Sequence, residues 1–200
     1  MKPDPDKSVF INCPYDAAYT PLFDAIIFTT VCCGFTPRSA LEAGNVAEPR
    51  MDRIVRSLFE SRYSIHDLSR NKGEGEEGFA RFNMALELGM AVSRRYMTRD
   101  SEQQHDWLLL VPTGHHYHRF LSDLSGFDPA RYDGTVETLV SNVMSWLVRR
   151  PSSLSSSYPR QVLGALPRFR RRRQRLGLRW AGEVPWEYVV ELAEEVAAEL

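Results

Sequence analysis

Trp107-Leu108-Leu109-Leu110-Val111-Pro112 is a continuous apolar run closed by proline. A strand with one wet face alternates apolar and polar residues. A run with no polar position reads as a strand covered on both faces, as in a parallel sheet. The segments upstream repeat that theme. Ser8 to Pro14 is a short β-branched and aromatic run ended by proline, and Tyr63 to Leu68 is another that ends before Ser69. Phe35 to Glu42 is less regular, and Pro37 places it at an edge or bulge.

Helical periods fill the gaps. Pro21 to Cys33 has the helical spacing, tolerates proline in its first turn and stops at Gly34. Pro49 to Glu60 sets Met51, Ile54, Val55, Leu58 and Phe59 against a charged side. A Gly/Glu-rich loop from Arg70 to Gly78 precedes a helix over 79–95. Tyr117 to Leu124 reads as a short helix, and Thr135 to Val148 as a longer one. Strands alternating with helices imply right-handed βαβ units. The expected fold is α/β: a flavodoxin-like, doubly wound parallel sheet of four to five strands with helices on both faces, spanning residues 8–150.

Pro151 to Pro159 has linker composition, and a helical extension over 160–200 follows it. The dense basic run Arg168 to Arg175 comes first, then an acidic helix, Trp186 to Leu200, with Glu187, Glu191, Glu195 and Glu199 four apart. Opposite charge in adjacent segments implies that they neutralise one another or a second subunit.

Hydrophobic content of 43% and charged content of 26% suit a soluble globular chain. A formal net charge of −1 argues against nucleic acid as a partner. No signal segment is visible, and no run approaches the roughly 20 apolar residues that cross a bilayer. The three cysteines (Cys13, Cys32 and Cys33) lack zinc-type spacing and read as reduced thiols of a cytoplasmic protein. Clustered His115, His116 and His118 invite a metal reading, but three neighbours in a loop make a poor ligand set. Neither metal nor cofactor is expected.

In the helix over 79–95, Phe82, Leu86 and Met90 recur at the spacing of one buried face, and Glu87 is the sole ionisable residue between Arg81 and Arg94. An isolated buried charge is costly, so Glu87 is either solvated or paired on an outer face, or reaches into a cleft. Asn83 and Ala91 share its face and would form a pocket floor. Ligands of such sheets bind outside the carboxyl ends of the strands. Those ends carry Asn12, Pro14 and Tyr15, then Arg38 and Glu42, then His66, Asp67 and Ser69.

Three segments in this order, Val-Phe-Ile-Asn-Cys-Pro-Tyr-Asp (9–16), Ser-Arg-Tyr-Ser-Ile-His-Asp-Leu-Ser (61–69) and Asn-Met-Ala-Leu-Glu-Leu-Gly-Met-Ala (83–91), resemble the nucleoside 2-deoxyribosyltransferase-like group within the TIR-like N-glycosidase folds. The resemblance covers about residues 8 to 112. It implies a nucleotide, nucleoside or NAD(P) substrate cleaved or transferred at its N-glycosidic bond, and a homo-oligomer. Glu87 would then be the nucleophile or oxocarbenium stabiliser, and Asp67 would hold ribose hydroxyls or protonate the leaving base. Asn12 and Tyr15 would contact base or sugar, and Arg38 a 5′-phosphate. His66 is either a proton carrier or a histidine packed beside the strand end. The alternative is a non-catalytic TIR-like module that binds a nucleotide or a protein in signalling or defence.

Overall fold

A computed structural model describes residues 3–42, 47–69, 82–114, 117, 121–124, 126–154, 157–181 and 183–200. Five strands, β1 (Ser8–Asn12), β2 (Thr36–Ser39), β3 (Tyr63–Asp67), β4 (Asp106–Pro112) and β5 (Ala130–Tyr132), form one sheet. Their order is β2-β1-β3-β4-β5 and every pairing is parallel, the flavodoxin-like arrangement. Six helices accompany it: α1 (Thr20–Cys32), α2 (Arg50–Phe59), α3 (Asn83–Met97), α4 (Val136–Leu147), α5 (Pro159–Trp180) and α6 (Trp186–Ala197). The strand order reverses between β1 and β3, so their carboxyl ends define the crevice where such folds take ligands.

Alternation along the strands sorts the core into two sides. Val9, Ile11, Tyr63, Ile65, Leu108 and Leu110 pack with α1, α4, α5 and α6. Phe10 meets Ile54 and Leu58 of α2 and Ala91 of α3, while Leu109 and Val111 meet Met84 and Leu88 of α3. Burial on both faces is why β4 carries no polar position in its middle.

The C-terminal helices share that first core. Phe169 of α5 stacks on Phe28 of α1 at 5.3 Å between ring centres, and Trp186 of α6 stacks on Phe23 at 5.9 Å. The Trp186 indole N–H also donates to the Pro37 carbonyl of β2 (3.1 Å). The expected neutralisation between the basic run and the acidic helix is confined to one glutamate among the described residues: Arg168 and Arg172 each lie 2.9 Å from Glu199. Arg173 pairs instead with Asp24 of α1. Within the segment read as a linker, Leu154 N–H and the Ser153 hydroxyl both donate to Cys33 O. Gly34 turns there at φ +83°, and a Cβ on it would stand 2.9 Å from that of Leu154.

Some local expectations need correction or completion. The stripe Phe82, Leu86 and Met90 is not the buried face of α3: Phe82 is 73% exposed and Leu86 51%. The buried residues are Met84, Glu87, Leu88 and Ala91. At about 100° per residue the two stripes lie on opposite sides of one helix. Both are apolar, and small Ala91 is what fits against Phe10 and Leu58. For the same reason Met51 and Phe59 fall at the exposed margin of α2, leaving Ile54 and Leu58 inside. The fifth strand is Ala130–Tyr132, three residues with no period to read. The helix expected over Tyr117 to Leu124 falls partly outside the described residues; what is described of it is a 3-10 turn, Ser122–Leu124. Tyr117 braces that region by donating to Phe127 O (2.8 Å).

If α5 belongs to the same cooperative core, Phe169→Ala removes a stacked, fully buried ring and lowers unfolding free energy by about 3–5 kcal/mol. Denaturant titration should show that loss in a single transition. A loss well under 1 kcal/mol would contradict the packing.

Candidate active site

Two acids approach the carboxyl rim of the sheet from opposite faces. Asp67 ends β3 and follows Tyr63 and Ile65 toward the α1 side. Glu87 arrives from α3 on the other side. Cys13, one residue past β1, sits within electrostatic reach of both: burial raises its thiol pKa first, and the negative charges of Asp67, Glu87 and Asp16 raise it further.

Asp67 is fully buried and fully occupied. Its Oδ2 accepts the hydroxyls of Tyr19 (2.5 Å) and Tyr132 (2.6 Å), and its Oδ1 accepts the Ser69 backbone N–H (2.6 Å). Three charge-assisted hydrogen bonds hold this carboxyl in place and close off both oxygens. Tyr19 and Tyr132 were not anticipated. Tyr132 belongs to the strand too short to recognise, and Tyr19 precedes α1 in a segment without period.

Glu87 stands in contrast. Its residue is 7% exposed, and among the described residues it has no hydrogen-bond or ion-pair partner. Burial pushes its pKa from 4.5 up to about 7, against a smaller pull from the Arg50 charge at the start of α2. Asn83, one turn earlier, is exposed and Ala91, one turn later, is fully buried, so the face expected as a pocket floor runs inward from the rim.

A buried polar chain fixes the helix that carries Glu87. The Asn12 side chain donates one Nδ2 hydrogen to Met84 O (2.8 Å), in the first turn of α3, and the other to His66 Nδ1 (2.8 Å). His66 Nε2–H then donates to Ser64 Oγ (2.7 Å), which lies 2.8 Å from His105 Nε2, and His105 Nδ1 lies 3.0 Å from both Ser61 O and the donor Arg94 Nη1. The Asn12 Nδ2 group has only hydrogens to offer, so His66 Nδ1 accepts, its Nε2 carries the proton and the His66 ring is neutral. Burial takes His66 down to about 3, and burial plus the neighbouring Arg94 charge does the same to His105. His66 is fully buried with both nitrogens engaged, which is the packed histidine rather than the proton carrier.

The other rim residues are also committed. Arg38 grips Glu42 with two contacts, Nε–Oε1 at 2.5 Å and Nη2–Oε2 at 2.8 Å, and its Nη2 lies 3.5 Å from Glu60. Its Nη1 is buried and has no hydrogen-bond partner among the described residues. Tyr15 turns its hydroxyl back to Ile11 O (3.1 Å) and Ser39 Oγ (3.2 Å). Pro14 is buried, and Ser69 is half-buried, its hydroxyl without a hydrogen-bond partner among the described residues.

Comparisons with protein-family models, with curated proteins and with solved structures give no match. The chemistry therefore has to be read from geometry.

Among the described residues no group of three His, Cys, Asp or Glu side chains could hold a metal, and no helix is long and apolar enough to cross a membrane. His115, His116 and His118 lie outside the described residues. A cavity of about 480 Å3 opens on the α1 side, between α1, α5 and α6, with Arg170, Arg173 and Trp186 in its walls. None of the sequence-derived site residues lines it.

The titrations of Glu87 and of the two histidines have opposite signs. His66 and His105 ionise near 6.5 when unfolded and about 3 when folded, so the stability they confer is complete above pH 6.5 and is lost as pH falls toward 3. Each contributes a slope of up to about 1.4 kcal/mol per pH unit in that window. Glu87 is raised on folding, so its ionisation costs stability as pH climbs from 4.5 through 7. Glu87→Gln should therefore stabilise the protein at pH 8, by no more than about 3 kcal/mol, and lose that advantage near pH 4.5. Chemical denaturation at the two pH values tests this. An equal effect at both would mean that Glu87 is not held unpaired. Wild-type stability should itself decline as pH is lowered from 6.5 to 4, and a flat profile there would contradict two buried neutral histidines.

Proposed function

We propose that the protein cleaves or transfers at the N-glycosidic bond of a nucleotide-type substrate, with Glu87 as the group that meets the sugar's anomeric carbon. The observation that carries this reading is a buried carboxyl, without a partner among the described residues, at the carboxyl rim of a flavodoxin-like sheet. Breaking a C1′–N bond leaves positive charge on the sugar, and a fixed, partly desolvated carboxylate stabilises that charge or bonds to the carbon. The order of the rim segments and their likeness to the deoxyribosyltransferase-like and TIR-like N-glycosidases support the same assignment. A cytoplasmic setting is proposed with it, supported by three buried free thiols.

The surroundings of Glu87 favour one kind of leaving group. Purine and pyrimidine bases leave more readily when an acid protonates them. Among the described residues, Asp67 is closed off by three donors, His66 is neutral and buried, and Tyr15 spends its hydroxyl on Ile11 and Ser39. A pyridinium ring needs no acid, because it becomes neutral as it takes the bond electrons. Its positive charge would also draw the Glu87 pKa down from about 7 and ionise the group. NAD(P) is therefore the preferred substrate over a purine nucleoside.

A second reading, a nucleotide-binding or protein-interaction module without turnover, is favoured by the complete occupation of Asp67. Incubation with NAD, NADP and purine nucleoside monophosphates, followed by chromatography of released base, separates the two. We expect nicotinamide release well ahead of purine release, with kcat/KM rising through about pH 7 as Glu87 ionises. Glu87→Gln should lower turnover by about 10²–10⁴-fold, the usual worth of one positioned catalytic group. Thermal stabilisation by nucleotides with no base released from any of them would favour the binding module instead.

A further inference from the structure

We propose that the α5–α6 hairpin is a self-complementary docking surface that joins two copies of this chain about a two-fold axis parallel to the helices. The two helices run antiparallel: Arg172 of α5 meets Glu199 just past α6, and Trp180 at the end of α5 meets Tyr188 at the start of α6 (5.2 Å between ring centres). The residue levels in the two helices therefore sum to about 370. By that rule Arg175 is level with Glu195, and Arg179 with Glu191. Those four side chains face one another across a groove of about 330 Å3 between the helices.

They do not close it. Among the described residues Arg171, Arg175 and Arg179 of α5 have no ion pair, and neither do Glu187, Glu191, Glu194 and Glu195 of α6. α5 carries no acidic residue and α6 no basic one. The hairpin thus presents an arginine row beside a glutamate row, both exposed and both unpaired. Apolar surface lies at the same end: Leu178 is 78% exposed, and Trp180 and Tyr188 are nearly half exposed.

A two-fold axis along the helix direction exchanges left and right while keeping every level. It sets the α5 row of one copy over the α6 row of the other, Arg175 against Glu195 and Arg179 against Glu191, with two sets of contacts for one operation. Rows of one sign facing rows of the other also fix the orientation of the pair, because docking α5 on α5 or α6 on α6 brings like charges together. The same contact covers Leu178, Trp180 and Tyr188 with their counterparts. A second copy is the occupant that matches both rows at once; a partner of single charge would satisfy one row and be repelled by the other. The opposite face of the hairpin is already spent on the core through Phe169, Val189, Ala193 and Val196.

The test is the solution mass of the full chain by light scattering, with charge reversal. The wild type should run as a pair of 22.9 kDa chains in about 0.05 M salt and shift toward the single chain in about 1 M salt, where screening is nearly complete. R175E/R179E and E191R/E195R should each be single chains, since each then carries two rows of one sign. Mixed in equal amounts, the two variants should restore the pair. Circular dichroism melts of each variant establish that it is folded before mixing. A wild type that is single-chain at low salt would overturn the proposal. So would a pair that survives both reversals, or folded variants that fail to associate on mixing.

Discussion

Polar groups buried against a sheet must find partners within the chain, because an unmet donor or acceptor there costs more than most contacts return. At the crevice between β1 and β3 one side chain answers that demand for two elements. The Asn12 amide ties the first turn of α3 to the end of β1, and ties both to His66 on β3. From His66 the chain continues through Ser64 to His105, just before β4. Three neighbouring strands and one helix are thereby held in a single register of donors and acceptors. That register sets where Glu87 stands.

The two faces of the sheet have different roles as a result. The α1 side is sealed by α1, α4, α5 and α6, with Phe169 of α5 and Trp186 of α6 stacked on α1, and Trp186 extends the seal to the edge strand β2. Asp67 points into this side, where Tyr19 and Tyr132 meet it. Among the described residues the α3 side has two helices, α2 and α3, and its rim holds the acid with no partner. Two carboxyl groups that look like a catalytic pair in sequence order thus have unequal environments: one is a fully hydrogen-bonded structural anchor, the other is buried and unmet. Strand alternation decides this, since Asp67 shares the parity of Tyr63 and Ile65 and His66 has the opposite one.

The parts that were legible in the sequence are those with a strong local period. The apolar core of β4, the β-branched run of β1 and the proline and glycine limits of α1 needed no tertiary information. The choice of face on α3 did need it. Phe82-Leu86-Met90 and Met84-Leu88-Ala91 are equally apolar, and only the shape of the surface beneath, with Phe10 and Leu58 in place, selects the stripe containing Ala91. The partners of Asp67 were hidden for a related reason. Tyr132 is 65 residues away in sequence and sits in a three-residue strand that exists only because β4 offers it an edge. The rim residues Arg38 and Glu42 were found as a pair of positions, but their mutual grip follows from side-chain reach across four residues, which no hydrophobic pattern encodes. The core role of α5 was masked by its arginines: Val162, Leu166 and Phe169 form a normal buried stripe beneath a run of charge that dominates the composition.

Asn12, Ser64, His66, Asp67 and His105 are all polar, all buried, and all hydrogen-bonded, as buried polar groups usually are. The same fold that satisfies these five groups leaves Glu87 without a partner among the described residues, although a burial-raised pKa near 7 means that its charge opposes folding at neutral pH. A glutamine, methionine or leucine at that position would avoid the conflict. Unmet charge at the ligand-binding edge of a doubly wound sheet makes physical sense when the missing partner arrives from outside, and a positively charged or charge-developing ligand is the partner a carboxylate lacks.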